Sequence, residues 1–397
     1  MALGGVSFGE PVVIGNPAEN PSDPYIQTGP NGQVFLSWTE EAASAEGRNV
    51  LVATLGPDGR VSSEPRQMND KAGEIAAHGG ENLAKFTVDL NGGVAAIWMM
   101  PLPGRHTGEM RVAHAHSGED FPATATLNDD GKVVNHAFST ITTAPDGRVY
   151  AAWIDGRNRT DFQDDRQQMF MSVSEDGGRS YGQNYPVASG VCPCCRPNIA
   201  FLDGGETLVL SYRFVTKPEN VRNHVVIRST DGGRTFGEPV AISDDGWTSE
   251  GCPHAGASIT ADDQGSIHSV WWTGGRTDDE AGIYYTYSED GGQSFLPREL
   301  IAEASPKAVL HTQIRADTDG NLYAVWVNIQ NEQRQIFLAH RRTGAAEWSE
   351  IEQLSDGTEN ALFPMLAVDE DRLYVTWTER KGETSQVKVR TALLSDS

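Results

Sequence analysis

The chain has 397 residues, of which 38% are hydrophobic and 22% charged, and its 42 glycines mark a globular protein rich in turns. A formal charge of −24 and a pI near 4.7 exclude nucleic acid and anionic membrane surfaces as partners, since both demand a basic face. No run approaches the roughly 18 apolar residues of a membrane span.

The opening MALGGVSFGEP lacks the basic start and long apolar stretch of a signal peptide. A periplasmic or extracellular location is expected, with the leader absent from this sequence. The elements that follow repeat one pattern: a polar turn with Gly or Asp, then an alternating strand ending in an aromatic. In chain order these are PNGQVFLSW, LNGGVAAIW, PDGRVYAAW, DGGETLVLSY, DQGSIHSVW, TDGNLYAVW and DEDRLYVTW. Their aromatics are Trp38, Trp98, Trp153, Tyr212, Trp271, Trp326 and Trp377, spaced by 60, 55, 59, 59, 55 and 51 residues. Period-two alternation between turn residues predicts antiparallel strands, and no window carries a sustained helical stripe. A unit of roughly 50 to 60 residues with about four strands is a β-propeller blade.

Three repeats carry a second signature: SEDGGRSY at 174–181, STDGGRTF at 229–236 and SEDGGQSF at 288–295. These resemble the Asp-box, S-x-D-x-G-x-x-aromatic, of the sialidase-like propellers. Its small and acidic residues close a tight turn through side chain to backbone hydrogen bonds. It speaks for architecture and not for chemistry. The N-terminal VSFGEPVVI resembles RTFGEPVAI at 234–242, an outermost strand, while the last repeat has sequence for only three strands. The expected fold is therefore all-β: one domain over 1–397, a seven-bladed propeller of four-stranded antiparallel blades, closed by the N-terminal strand completing the last blade.

Aligning the repeats on their aromatics places Glu81, His136, Cys195 and His254 each 17 residues before the aromatic, with His311 offset at 15. Cys194 competes with Cys195 for this register, because LDGGETLV carries an extra turn residue. Cys192 and Cys194 flank it in VCPCCRP, and Cys252 stands two residues before His254 in CPHAG. Thiolates and imidazoles so gathered at a channel mouth suit a soft or borderline cation. The expected metal set is Cys192, Cys194, Cys195, Cys252, His254, His136 and His311, binding copper, with zinc as the alternative. Copper handling, electron transfer or copper-dependent redox chemistry would follow, with a redox or metal-transfer protein as partner. Arg196 stands where covalent haem attachment at C-x-x-C-H requires His. Two disulfides, such as Cys192 with Cys194 or Cys195 and the remaining cysteine with Cys252, are the structural alternative, leaving an interaction scaffold.

A rim of Arg157, Arg196, Arg213, Arg276 and Arg315 with Asp155 and Glu81 is the candidate site for a small anion, because guanidinium pairs with carboxylate through two bonds. The resemblance to sialidases implies an arginine triad, a Tyr nucleophile activated by Glu and an Asp acid/base. Arg196, Arg213 and Arg315 imitate the triad, and Glu81 or Asp155 the acid. The family's early R-I-P motif is absent, CRPN in the fourth repeat is its nearest analogue, and no Tyr with a neighbouring Glu fits the role. A sialidase-like glycoside hydrolase using the rim is thus the alternative to metal binding.

Overall fold

The computed structural model describes residues 6–44, 46–75, 82–104, 106–160, 164, 166–249, 251, 254–305 and 311–394. Glu81 and Cys252 lie outside the described residues. Every strand pairing among them is antiparallel, and the helical elements are three 3-10 turns at Pro17–Glu19, Asp203–Gly205 and Asp278–Glu280. No helix is long and apolar enough to cross a membrane.

The chain folds as successive four-stranded meanders, the first made of Ser22–Thr28, Val34–Glu41, Arg48–Leu55 and Arg66–Gln67. The repeating aromatic sits in the second strand of each. Trp38, Trp98, Trp153, Tyr212, Trp271, Trp326 and Trp377 are all at most 1% exposed, and burial of each contributes about 2 kcal/mol. The sheets number six where sequence predicts seven. Val191 pairs with Phe214, fusing the meander that starts at His136–Thr143 with the one that starts at Asn198–Leu202 into a single eight-stranded sheet. Val191 stands directly before Cys192 in the chain.

The three S-x-D-G-G turns each join the third and fourth strands of a meander and share one hydrogen-bond pattern. Ser174, Ser229 and Ser288 donate to Asp176, Asp231 and Asp290 at 2.7, 2.8 and 2.7 Å. The same hydroxyls accept the N–H of Gly178, Gly233 and Gly292 at 2.8, 2.8 and 2.7 Å. Both glycines of each pair have φ between 67° and 97°, a region that side chains with a Cβ rarely adopt.

At the other end of the chain order, Ser7–Phe8 and Val12–Ile14 pair with the last strand, Thr384–Leu393. First and last elements thus share a sheet, as the sequence similarity of VSFGEPVVI implied. The first strands of successive meanders abut one another, and the first also abuts the last: Thr28 Oγ1 donates to Val368 O at 2.7 Å. Further links are Thr87 to Thr143 at 2.8 Å and Ile314 N to Ser258 Oγ at 3.1 Å. Residues of these strands, among them Tyr25, Lys85, Asn198, Ser258, Thr312 and Met365, line one cavity, and Arg196, next to Cys195 in the chain, lines it with them.

Candidate functional site

Cys192 follows Val191 out of its strand, its N–H donating to Arg213 O at 2.9 Å. Pro193 and Pro197 bracket the turn that carries Cys194 and Cys195 before strand Asn198–Leu202 begins. All three cysteines are buried, against Val215 and Phe138. Their sulfurs lie within 4.8 Å of one another, with Cys192 3.8 Å from Cys194 and 3.4 Å from Cys195. A disulfide needs about 2.05 Å, and all three are free thiols. The pairing of Cys192 with Cys194 or Cys195 is therefore not present.

Two guanidinium groups back the cluster. Arg222 Nη1 donates to Cys192 Sγ at 3.0 Å, while Arg213 binds the carbonyls of Arg222 and Ala255 at 2.8 and 3.1 Å. The Cys194 thiol, then the Cys195 thiol and the arginine charges hold Cys192 well below the ordinary cysteine range. Burial pushes Cys195 the other way. One thiolate thus accepts from two neighbouring thiols and a guanidinium, and a soft cation would enter by displacing the remaining thiol protons.

Cys194 and His254 line the same cavity, of about 520 Å³, together with Phe138, His106, Arg157 and Arg159. The His254 ring stacks on Phe138 at 5.7 Å between centroids. His311 hydrogen-bonds to the His254 backbone, and its Nε2 is buried without a partner. Burial, then the Arg196 charge, pushes His311 well below the usual imidazole range, so it stays neutral and keeps a lone pair for a cation. Cys192, Cys194, Cys195, His254 and His311 therefore form one neighbourhood, and Cys252 precedes His254 by two residues.

His136 does not join them. Its Nδ1 donates to Gly108 O at 2.8 Å, and its Nε2 faces Asp130 at 3.3 Å and Asp155 at 3.6 Å. Both ring nitrogens are turned to groups other than the thiols. Asp130, His136 and Asp155 are themselves close enough to hold an ion. Arg157 already supplies positive charge there, at 2.8 Å from Asp155 and 2.6 Å from Asp129.

The arginine rim also separates. Arg213 is fully buried under the cysteines and lies over the Trp247 ring at 5.0 Å. It follows Tyr212 in the strand, so alternation turns it to the opposite side. Arg276 is half exposed and paired with Asp244 at 2.7 Å. Asp155 accepts from Trp153 Nε1 at 2.8 Å as well as from Arg157, which fixes it as a buried acceptor. Among the described residues of the set, only Arg196 and Arg315 line the space between the first strands of the meanders. Lys85 and Tyr25, which line it with them, and Arg222 carry no motif in the sequence.

No protein-family model and no curated protein matches the chain. Solved structures do. The polysaccharide lyase Uly1 is 12% identical over 94% of this chain and 90% of its own, with a TM-score of 0.59. The Hadza microbial sialidase Hz136 is 13% identical over 91% and 76%, at 0.51. An α-L-arabinanase of Penicillium chrysogenum, solved with arabinobiose, is 14% identical over 79% and 93%, at 0.52. The chain thus has the β-propeller fold that sialidases and arabinanases share, and at such identities the likeness is one of fold.

Proposed function

We propose that the protein is a seven-bladed Asp-box propeller that binds Cu(I) through Cys192, Cys194 and Cys195, with His254 and His311 beside the site and Cys252 a further ligand. The observation that supports this is the set of three buried free thiols within 4.8 Å of one another, with Cys192 held well below the ordinary cysteine range by the Cys194 and Cys195 thiols and then by the Arg222 charge. Three clustered thiolates suit the soft Cu(I) ion, and the same set with a histidine would also serve zinc, so the two ions are separated by titration. Cys194 opens on the large cavity, which leaves room for a metal-transfer or redox partner to reach the ion. The proposed setting is periplasmic or extracellular.

Titration of the reduced full chain with Cu(I) against a chromogenic chelator, and separately with Zn(II), tests the reading. About one Cu(I) per chain is expected, lost in the Cys192→Ser, Cys194→Ser double variant while circular dichroism stays unchanged. Tight zinc with no preference for copper makes this a zinc site, and absence of either metal overturns the proposal.

The comparisons lend more to a second reading, a sialidase-like glycoside hydrolase, than to copper, because the fold neighbours act on carbohydrate. Its weakness lies in the site: among the described residues no Asp, Glu or Tyr lines the cavity of Cys194 and His254, so neither the acid nor the activated nucleophile that the sialidase resemblance implies stands there. Release of reducing sugar from sialoside or arabinan by the metal-free chain would decide for this reading.

A further inference from the structure

The fold turns His136 away from the thiols and toward two carboxylates. We propose that Asp130, His136 and Asp155 bind one zinc ion, which clamps the second meander to the third. None of the three belongs to the copper site proposed above, so the two readings stand or fall separately.

Three acceptor atoms converge here inside the protein, all within 4.8 Å of one another. His136 and Asp155 are at most 1% exposed, and the Asp130 side chain 7%. His136 Nδ1 lies 2.8 Å from the Gly108 carbonyl, and since a carbonyl only accepts, the ring proton sits on that nitrogen. Nε2 of the neutral ring therefore presents a lone pair. It stands 3.3 Å from Asp130 Oδ1 and 3.6 Å from Asp155 Oδ2 and hydrogen-bonds to neither, and Asp130 Oδ2 is likewise buried without a hydrogen bond. A second ring proton does not repair this, because Nε2 lacks hydrogen-bond geometry to either oxygen. Lone pairs turned on one another at such distances repel unless a cation lies between them.

The spacing fits zinc. Ligand atoms about 2.0 to 2.2 Å from a tetrahedral ion stand roughly 3.3 to 3.6 Å from one another, as Nε2 does from the two oxygens. One imidazole and two carboxylates, with a water as the fourth ligand, suit zinc and not Cu(I), which prefers sulfur. Outer groups hold each ligand in place. Gly108 O fixes the ring, Asn128 Nδ2 donates to Asp130 at 3.1 Å, and Trp153 Nε1 and Arg157 Nε donate to Asp155 at 2.8 and 3.0 Å. Arg157 also binds Asp129 and lies 3.8 Å from Asp130 Oδ2, so three carboxylates share one guanidinium and two negative charges remain for a divalent cation. Lys132 of the same loop spends its ammonium on the Arg157 carbonyl, at 2.9 Å. Asp130 lies in the segment joining Thr124–Thr126 to His136–Thr143, and Asp155 ends strand Val149–Asp155, so the ion would fasten the crossing between two meanders. Asn135, Gly156 and Arg157, which adjoin or follow its ligands in the chain, line the cavity of about 520 Å³, its way in.

Zinc titration of the full-length Cys192→Ser, Cys194→Ser variant against a chromogenic chelator separates this site from the thiols. About one Zn(II) per chain should remain. Co(II) in its place should give the visible bands of tetrahedral cobalt without the near-ultraviolet charge-transfer band of a cobalt thiolate. Adding His136→Gln or Asp130→Asn to that variant should weaken zinc at least about tenfold, the least that loss of even an outer partner costs. Saturating zinc should raise the melting midpoint of the parent and not of these two variants. Near-ultraviolet circular dichroism reports whether each keeps its tertiary packing, and the cobalt spectrum of the parent reads the site even where a variant does not fold. No zinc on the parent, a thiolate charge-transfer band, or folded His136→Gln and Asp130→Asn variants that bind zinc as the parent does overturns the proposal.

Discussion

Lys85 opens a strand, Lys85–Val88, whose four residues are all buried, and its ammonium carries a penalty that depends on pH. Its folded value is lowered from 10.5 to about 7, with burial the largest cause. Between those values the unfolded chain holds a proton that the native chain lacks, so stability rises with pH across the window and is lost as pH falls through 7. In buffer free of multivalent anions, Lys85→Met should melt a few degrees higher than the native chain below pH 7, with the gap closing toward pH 10. A gap that stays constant would show that the charge is not what costs stability. Nothing in LAKFTVD announces this, since the alternation of one strand does not reveal what the other strands bring opposite it. His136 teaches the same lesson. It shares a register with His254, yet its ring is taken by Gly108 of the preceding meander and by Asp130 and Asp155, partners that lie elsewhere in the chain. The cysteines were legible because their grouping is local: three fall within four residues, held by flanking prolines.

At the scale of the element, the Asp-box turn is the part of the fold most fully written in sequence, because its donors and acceptors lie within seven residues. Burial raises Asp176, but the hydrogen bonds from Ser180 and Ser174 outweigh it and bring the carboxyl down to about 2. Ser174, itself fully buried, donates to Asp176 and accepts from Gly178, so a single hydroxyl ties the turn together. Ser174→Ala should cost about 1 to 2 kcal/mol in urea denaturation, by orphaning the Gly178 N–H and loosening Asp176. The loss should appear in the midpoint with the slope unchanged. A variant as stable as the native chain would mean that water replaces the hydroxyl and that the glycine pair alone sets the turn.

At the scale of the whole molecule, the sequence foretold which ends of the chain meet but not how the sheets divide. The similarity between the N-terminal and an outermost strand foretold the pairing of Val12–Ile14 with the last strand. The bridge between Val191 and Phe214 that fuses two sheets was not visible, because it joins single residues at strand ends. The meeting of the first and last meanders also brings Tyr25 and Met365 beside Lys85 and Arg196 around one cavity. Ile14, Val387 and Val389 pack in one core with Tyr25, Met365 and Tyr374, so the two chain ends share apolar burial as well as hydrogen bonds. Removing residues 1–14 would strip that cover and leave Thr384–Leu393 as a long unpaired edge, a template for another chain. The truncated protein should therefore elute from size exclusion as dimers or larger species and lose its sharp thermal transition. A monomer that melts as sharply as the full chain would mean that the remaining meanders close on their own, and that the N-terminal strands are an addition to the ring rather than its clasp.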